Sequence, residues 1–238
     1  QSYTNFILFV RDDGSKDGSL EIIETFSSKY SNINFINQAV DKNIGVVKSF
    51  CVLLDTALLD KDIEYFMFVD QDDVWLPYKV EYSLSRIKEF ENNAPTNNIP
   101  ILFHTDLQVV NDGLQPISKS FWEYQKIDPA KKNINNLLVQ NNVTGCTMIF
   151  NRSLAELTLP IPSKAIMHDW WLALVAASFG RIEWSHEVTI QYRQHGNNSV
   201  GAKKLNVTNM VKKLKEPSLI GKTISQAEAF NQQYGSRL

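Results

Sequence analysis

Three carboxylates lie within four positions of the chain, directly after a short apolar run. Asp70, Asp72 and Asp73 follow residues 65–69, whose mostly apolar character predicts a buried strand. Asp70 and Asp72 flank one residue, so both can point the same way and share a divalent cation through oxygen ligands. Mg²⁺ or Mn²⁺ would keep open positions there for water and for phosphate oxygens. The alternative is a helix-capping cluster, in which Asp72 or Asp73 caps a helix that begins near Pro77.

A second acidic pair lies at the end of an earlier predicted strand. Residues 6–10 are apolar, and Asp12 and Asp13 follow them in a turn rich in glycine and aspartate. Because the carboxyl ends of parallel strands meet at one edge of a sheet, these carboxylates can accept hydrogen bonds from a base N–H or a ribose hydroxyl. The alternative is that they only form the turn.

Two further segments supply candidates for acid–base and metal chemistry. Asp169 begins a predicted helix, where the helix dipole favours its anion, a state suited to a general base. An N-cap within a core helix is the alternative. Period two along the predicted strand 188–194 puts Arg193 and His195 on one face. Facing an acidic cleft, the arginine would steady negative charge and the histidine would ligate the metal, whereas an exposed histidine in a turn is the alternative.

Strands that alternate with helices position these residues. In the first half, strands at 6–10, 33–36 and 65–69 alternate with helices at about 18–29, after 45 and at 78–91. This alternation predicts an α/β fold with a mostly parallel, twisted central sheet flanked by helices on both faces. Further strands are expected at 101–105, 106–111, 146–150, 181–184 and 188–194. A long loop with short helices is expected at 118–132, a helix from about 165 to 179, and two helices in the tail 203–238.

Composition narrows the class of protein. The 238 residues are 43% hydrophobic, enough to bury a full core, and 24 basic residues against 26 acidic ones give a net charge of −2. Nucleic acid is therefore not an expected partner. Cys51 and Cys146 lie in apolar runs and are interpreted as buried thiols of a reducing compartment. No apolar run approaches the roughly 18 residues that span a bilayer, and no signal peptide opens the chain, so a cytoplasmic protein is expected.

Several motifs follow one another along the chain. In order, they are Asp12-Asp13-Gly14-Ser15-x-Asp17-Gly18-Ser19, Asn43-x-Gly45 with Lys48, Asp70-x-Asp72-Asp73-x-Trp75-x-Pro77, Thr144-Gly145, His168-Asp169 and Tyr192-Arg193-x-His195. From residue 6 to about residue 201, this combination resembles the family-2 glycosyltransferases of the GT-A fold. Within that family, it most resembles bacterial rhamnosyltransferases of cell-wall or capsular polysaccharide synthesis.

The resemblance implies a set of residues that bind a nucleotide sugar. Asp12 or Asp13 would hold the base, and Lys48 would support the nucleotide side. Asp70 would reach the ribose or the metal, and Gly145 would let the backbone pass close to donor and acceptor. The full set comprises Asp12, Asp13, Asn43, Gly45, Lys48, Asp70, Gly145 and Arg193.

The resemblance also implies the remaining parts of an inverting transferase. Mg²⁺ or Mn²⁺ would be bound by Asp70, Asp72 and His195, and Asp169 would accept the proton of the attacking hydroxyl. Indole rings can stack on sugar faces, although core packing is the alternative for each of them. The rings assigned to the acceptor are those of Trp75, Trp170 and Trp171.

The expected reaction moves a sugar from a nucleotide-sugar donor to a hydroxyl of a growing bacterial polysaccharide or a lipid-linked glycan. L-Rhamnose from dTDP-L-rhamnose is the expected sugar. A nucleotidyltransferase would share the carboxylates and the Mg²⁺, but it usually has a basic, glycine-rich phosphate loop near its first strand, which is not visible here. The other alternative is a non-catalytic module on the same scaffold that binds a nucleotide sugar or a glycan.

The expected domain organisation is a GT-A domain at 1–201 and a helical extension at 202–238. The family normally has one more strand and helix ahead of residue 6, so the given chain is expected to start inside the domain. The predicted helix at 205–215 is basic and can rest on anionic lipid at the inner face of the cell membrane, where a lipid-linked acceptor would be found. A solvated surface helix is the alternative.

Overall fold

The computed structural model describes residues 1–36, 43–96, 98–194 and 217–238. The strands in these ranges are β1 (Leu8–Val10), β2 (Ile33–Phe35), β3 (Tyr65–Met67), β4 (Val74–Trp75), β5 (Ile101–Asn111), β6 (Pro116–Ser118), β7 (Met148–Asn151) and β8 (Arg181–Gln194). The α-helices are α1 (Ser19–Lys29), α2 (Val46–Leu58), α3 (Lys79–Asn92), α4 (Phe121–Gln125), α5 (Ile134–Leu137), α6 (Arg152–Thr158), α7 (His168–Phe179) and α8 (Pro217–Tyr234).

The core is built around β5, which is buried on both faces. Its neighbours are β7 on one side and β8 on the other. Because side chains alternate along a strand, Leu102 packs into a cluster with residues of α2, α6 and α7, whereas Phe103 packs against Ile87 of α3 on the opposite face. Helices therefore cover both faces of the sheet, which confirms the expected α/β class.

Helix α7 is the central helix of the larger cluster. Residues 170–176 are all buried, and a helix that is apolar on every side belongs inside a protein. The helix ends at Gly180, as the sequence predicts. Since its first turn carries His168 and Asp169, the packing of α7 fixes where that carboxylate emerges.

The strand directions correct one part of the prediction. β1 pairs with β2 in parallel and β5 pairs with β8 in parallel, but β7 runs antiparallel to both β3 and β5. β4 and β6 also pair antiparallel, with β8 and β5 respectively. The sheet is thus mixed rather than mostly parallel. Part of the physical reason is that parallel neighbours need long crossovers, whereas the chain returns from β5 to β6 through a short hairpin.

Element boundaries agree with the sequence best where the hydrophobic period is strong. α1, α2, α3 and α7 lie where they are expected. The strands expected at 101–105 and 106–111 are one strand, β5, and those at 181–184 and 188–194 are one strand, β8. Helix α6 was not predicted. Of the two helices expected in the tail, α8 is present, while the basic segment 205–215 lies outside the described residues.

An apolar cleft lies between β1 and β3. It has a volume of ≈ 770 Å³ and is lined by side chains of both strands and of α2, among them Phe9, Phe50 and Phe66. Helix α1 contains no buried residue, and Ile22 and Phe26 on it are 60% and 50% exposed. The N-terminal segment with β1, α1 and β2 is therefore packed less tightly than the rest of the described structure.

Two expectations about domain organisation stay predictions. They are the further strand and helix ahead of residue 6 and the division at residue 201.

None of the helices in the described ranges is both long enough and apolar enough to cross a membrane.

Gly180 provides a test of how α7 is joined to β8. A Cβ at this position would lie 1.8 Å from the carbonyl oxygen of Pro100, and that oxygen accepts the N–H of Arg181, the first residue of β8. We expect Gly180→Ala to lower the free energy of unfolding by about 1–3 kcal/mol or more, because backbone must move apart. Thermal denaturation should show a fall of several degrees in Tm.

The matched control is Gly221→Ala in α8, where an added Cβ meets nothing within 4 Å. Because alanine favours a helix interior over glycine by about 1 kcal/mol, this variant should be as stable as the parent or slightly more stable. Equal Tm values for the parent and Gly180→Ala would contradict the close approach.

Candidate functional site

The carboxyl ends of three strands meet at one edge of the sheet. β3 and β5 both run antiparallel to β7, and β5 runs parallel to β8, so all three point the same way. Asp70 follows β3, Asp112 follows β5, and Arg193 lies near the end of β8. The Arg193 side chain joins these ends, since its Nε donates to the Asp72 carbonyl at 3.1 Å and its Nη1 to the Asp112 carbonyl at 3.1 Å.

Asp73 lies beside this edge rather than at a helix terminus. Its Oδ1 accepts the backbone N–H of Arg193 at 3.2 Å. Helix α3 begins later, at Lys79, and the preceding residue Tyr78 gives it no side-chain cap. The structure therefore does not use Asp72 or Asp73 as the helix cap that the alternative interpretation required. Asp73 Oδ2 is buried and has no hydrogen-bond partner among the described residues.

The third component is a 3₁₀ turn, Gly145–Thr147, that precedes β7. One ligand atom from each of Asp70, Asp73 and Cys146 lies within 4.8 Å of the others. Cys146 is buried, as expected, whereas Cys51 is half-buried. No sequence pattern places the Cys146 thiol beside the carboxylates, because it lies more than seventy positions from them in the chain.

Asp169 lies on the other side of the same turn. Its Oδ2 accepts the N–H of Gly145 at 3.0 Å, and its Oδ1 accepts the N–H of Trp170 at 2.6 Å. A Cβ on Gly145 would lie 3.3 Å from the Asp169 Cβ and 3.3 Å from His168 Nε2. Glycine is thus the residue that lets this backbone pass between the candidate base and the metal-ligand candidates.

The raised pKa values of the cluster follow from burial and from the crowding of like charges. Burial and then the charge of Asp72 raise the pKa of Asp70 to about 6. Burial, together with the charges of Asp70 and Asp72, raises the pKa of Asp73 to about 7 despite hydrogen bonds that lower it. Burial and the charge of Asp70 also raise the pKa of Asp169 to about 7. Carboxylates from two distant segments therefore feel each other's charge.

This donor set fits a hard divalent cation. Carboxylate oxygens are the preferred ligands of Mg²⁺ and Mn²⁺. Asp73 Oδ2 is buried without a hydrogen-bond partner among the described residues, and it lies next to carboxyls whose pKa values are raised by burial and by one another's charge. A bound cation would stabilise the ionised form of these groups. Asp72 borders the same cluster, and the predicted ligand His195 lies outside the described residues.

The nucleotide candidates Asp12 and Asp13 follow β1. Asp12 Oδ2 accepts the N–H groups of Gly14 and Ser15, each at 2.8 Å. Asp13 accepts the N–H groups of Ile44 at 2.9 Å and Gly45 at 2.8 Å. Both carboxylates thus shape the loops, as the turn-forming alternative proposed, and each retains acceptor positions for a ligand.

Other candidates differ in how far they are open to solvent. Asn43 and Lys48 are exposed beside the N-terminus of α2. Trp75 is half-buried, and the ammonium of the fully buried Lys79 lies 4.8 Å from its ring centre. The assignment of Trp75 to the acceptor stays a prediction.

The structure corrects the acceptor role of two tryptophans. Trp171 is 0% exposed and packs edge-to-face on Phe230 of α8. Trp170 is 8% exposed, and its indole N–H donates to the Leu137 carbonyl at 2.6 Å. Neither ring has a face open for a sugar, because α7 is buried on all sides. The core-packing alternative is the correct one for both.

Two more residues lie near the carboxylates, and the sequence analysis assigned a role to neither of them. The phenol of Tyr192 has a raised pKa, caused by burial and then by the charges of Cys146 and Asp73. Lys79 donates weakly to the Thr147 carbonyl and to the Thr189 hydroxyl, each at 3.4 Å. A lysine in the first turn of an amphipathic helix usually points to solvent, so the sequence did not predict that Lys79 is buried.

A helix-covered α/β sheet with carboxylates gathered at the ends of its strands is the architecture of the GT-A transferases. Comparison with known proteins agrees. Residues 1–158 match Glycosyl transferase family 2, and the chain belongs to that family. The match includes the carboxylates of the first half and Gly145, and it ends before Asp169.

Curated relatives extend the similarity. The chain is 26% identical over 211 residues to the dTDP-rhamnosyl transferase RfbG of Shigella flexneri, covering 85% of this chain and 67% of that protein. It is 26% identical over 172 residues to the UDP-Glc:alpha-D-GlcNAc-diphosphoundecaprenol beta-1,3-glucosyltransferase WfgD of Escherichia coli, covering 71% and 58%. It is 35% identical over 92 residues to a cholesterol galactosyltransferase of Borreliella burgdorferi, covering 39% and 24%. The chain thus spans only part of each relative's length.

The raised pKa values predict how metal and pH act together on stability. In the unfolded chain these carboxyls titrate near pH 4, so the free energy of unfolding should fall as the pH rises from about 4 to about 7, where the folded groups ionise against one another. A bound dication would reverse this loss. Saturating MnCl₂ should therefore raise Tm by about 5 °C or more at pH 8, and by much less at pH 5.

Differential scanning fluorimetry of the parent and two variants measures this effect. Asp73→Asn should reduce the Mn²⁺ shift and raise the Tm of the metal-free protein at pH 8, because it removes a crowded charge. Asp62→Asn, an exposed carboxylate before the start of β3, is the control and should behave like the parent. An equal Mn²⁺ shift at both pH values would contradict the prediction.

Proposed function

We propose that this protein is an inverting, metal-dependent glycosyltransferase that moves a sugar from a nucleotide-sugar donor to a hydroxyl of a bacterial polysaccharide or lipid-linked glycan. Membership of Glycosyl transferase family 2 supports the reaction class. The observation that carries the proposal is the position of Asp169. Its carboxylate is hydrogen-bonded to Gly145, the residue next to Cys146, which in turn lies against Asp70 and Asp73.

This arrangement suits two charges that develop during transfer. The acceptor oxygen forms a bond to the anomeric carbon on one face, while the bond from that carbon to the diphosphate oxygen breaks on the other and its electron pair stays on the diphosphate. The proton of the acceptor hydroxyl passes to Asp169. A sugar hydroxyl becomes acidic enough to lose this proton only as the new bond forms, so the base acts late.

The diphosphate side is assigned to the carboxylate cluster and the cation that it would hold. Asp70, Asp72 and His195 are the proposed ligands, and Asp73 lies within reach of the same site. A bound Mg²⁺ or Mn²⁺ would stabilise the charge that grows on the leaving diphosphate. Arg193 steadies the acidic loop through its bond to the Asp72 carbonyl.

The nucleotide side is assigned to the loops after β1 and before α2. Asp12 or Asp13 would accept the base N–H, and Lys48, exposed in the first turn of α2, would meet the nucleotide. Gly45 and Asn43 supply backbone and side chain at the same place. The hydrogen bonds from Ile44 and Gly45 to Asp13 hold the two loops together.

We propose dTDP-L-rhamnose as the donor. Its support is the similarity to the Shigella flexneri dTDP-rhamnosyl transferase, which covers 85% of this chain. A lipid-linked acceptor is suggested by the Escherichia coli relative, whose own acceptor is a diphosphoundecaprenol-linked sugar. A cytoplasmic location at the inner face of the membrane, with contact through segment 205–215, belongs to the same proposal.

A panel of donors tests the substrate directly. We expect the protein to release nucleoside diphosphate from dTDP-L-rhamnose in the presence of an undecaprenyl-diphosphate-linked sugar and Mn²⁺, and to release less from UDP- and GDP-sugars. Chelation with EDTA should abolish the release. Transfer from a UDP-sugar alone would overturn the donor assignment, and binding of donors without transfer to any acceptor would favour the non-catalytic module.

Substitution of the base provides a second test. Asp169→Asn keeps the shape of the side chain but removes proton acceptance, so kcat should fall by about 10²–10⁴-fold while the Kd for nucleoside diphosphate stays unchanged. Only the ionised carboxylate can act as base. The parent's kcat/KM should therefore fall about tenfold per pH unit below the apparent pKa of Asp169. That pKa should be at most about 7, because a cation near Asp70 would lower it from its value in the metal-free protein.

The control for this experiment is Asp62→Asn, which should retain the parent's rate and pH profile. Full activity of Asp169→Asn would rule out the assignment of the base.

A further inference from the structure

The guanidinium of Arg11 is buried where β1 ends. Its side chain is only 3% exposed. Nη1 donates to Asp13 Oδ1 at 2.6 Å and to the hydroxyl of Ser49 at 2.7 Å. Both hydrogens of this nitrogen are thus used, one on the loop after β1 and one on the first turns of α2. Hydrogen bonds this short between charged groups are the stronger kind.

Asp13 is held from three directions. Besides Arg11, its Oδ1 accepts the N–H of Ile44 at 2.9 Å, and its Oδ2 accepts the N–H of Gly45 at 2.8 Å. An ionised carboxylate offers about four acceptor positions, so three are filled and one remains on Oδ2. Burial raises the pKa of Asp13, but the N–H groups of Ile44 and Gly45 and the side chain of Arg11 lower it by more. The net pKa lies below its usual value, so the carboxylate stays ionised.

The same contacts fix the start of α2. Gly45 is the N-cap residue and offers no side chain, so the carboxylate of Asp13 supplies the acceptor at this end of the helix from more than thirty positions away. Arg11 adds a second attachment through Ser49. Lys48, the exposed lysine assigned to the nucleotide, lies next to Ser49. The buried guanidinium of Arg11 therefore links two segments to which nucleotide binding is assigned: the loop after β1 and the start of α2.

We propose that Arg11 is a positioning residue for nucleotide recognition: it holds the Asp13 carboxylate so that its remaining Oδ2 position receives an N–H of the base. The inference rests on the proposed function and adds a residue and a selectivity to it. A fixed, acceptor-only group favours bases that present an N–H at the Watson–Crick edge, such as uracil and thymine. It disfavours cytosine, which presents an acceptor nitrogen there.

Loss of the Arg11 hydrogen bonds should reduce the preference for UDP and dTDP over CDP. A general loss of stability would not change this preference. Arg11→Met removes both hydrogen bonds and the neutralising charge while keeping an unbranched side chain. Calorimetric titration of the 238-residue chain with UDP, dTDP and CDP needs no turnover. We expect Arg11→Met to raise the Kd of UDP and dTDP at least tenfold and to bring it close to that of CDP. In turnover assays, the donor KM should rise while kcat changes little.

A double-variant cycle tests whether Arg11 acts through Asp13. Asp13→Asn should weaken UDP binding by itself, and addition of Arg11→Met to it should weaken binding no further. Arg11→Lys retains a cation, but the lysine nitrogen is one bond nearer the backbone than Nη1, so this variant should lie between the parent and Arg11→Met. Ser49→Ala removes one of the two acceptors and should raise the Kd of UDP a few-fold. Ser49→Ala also keeps the proposal testable if Arg11→Met does not fold.

Arg152 provides the matched control. Its guanidinium also binds backbone, donating to the Ile63 carbonyl at 2.8 Å and to the Leu58 carbonyl at 3.3 Å, but it does so beside the start of β3, at the edge of the sheet opposite to the carboxyl ends of β3, β5 and β8. Arg152→Met should lower Tm and leave the ratio of UDP to CDP affinity as in the parent.

The outcomes separate this inference from the proposed function. A parent protein that binds no nucleoside diphosphate overturns the proposed function and the role of Arg11 with it. A parent that prefers UDP and dTDP to CDP, with a folded Arg11→Met variant of unchanged preference, overturns the role of Arg11 alone. Full additivity of Arg11→Met and Asp13→Asn has the same consequence.

Discussion

Repulsion between carboxylates at one edge of the sheet is the constraint on which the rest of the site depends. Asp70, Asp73 and Asp169 have raised pKa values because they are partly removed from water and near one another. Folding must therefore work against this repulsion when the groups are ionised. The free energy comes from the apolar clusters on both faces of β5, where α7 packs with full burial. A cluster that costs stability and is nevertheless assembled points to a ligand that repays the cost when it binds.

Aspartate lies in opposite electrostatic environments on the nucleotide side and on the metal side of the candidate site. Asp13 receives hydrogen bonds from two backbone N–H groups and a guanidinium, which lower its pKa. Asp70 has no comparable donors among the described residues, and its pKa rises with burial and the charge of Asp72. An aspartate whose charge is already satisfied can serve as a fixed acceptor. An aspartate whose charge is unsatisfied is either protonated or paired with a cation. Under the proposed function, the first environment suits a nucleotide base and the second suits a diphosphate with its metal ion.

Local motifs in the sequence predicted much of the site, because each motif is a short segment with a strong structural preference. The strand before Asp70 and the helix at α7 both follow from a few neighbouring residues. The 3₁₀ turn Gly145–Thr147 was not predicted, since a strand was expected from residue 146. What the sequence did not reveal depends on contacts between distant segments. Arg11 acquires Ser49 as a neighbour only when the end of β1 packs beside α2. Cys146 and Tyr192 come near the carboxylates only when the 3₁₀ turn, β8 and the segment after β3 come together, and no pattern within any one segment indicates this.

The error over Trp170 and Trp171 has a related cause. Aromatic residues next to a catalytic candidate fit an acceptor platform as well as they fit a core, and the sequence alone does not distinguish the two. The deciding fact is that α8 returns from the end of the chain and places Phe230 against Trp171. α7 is thereby enclosed, and only its first turn reaches the site. Burial of this helix and the position of Asp169 are thus two consequences of one packing arrangement: the tryptophans fix the orientation of the helix, and that orientation presents the carboxylate to Gly145.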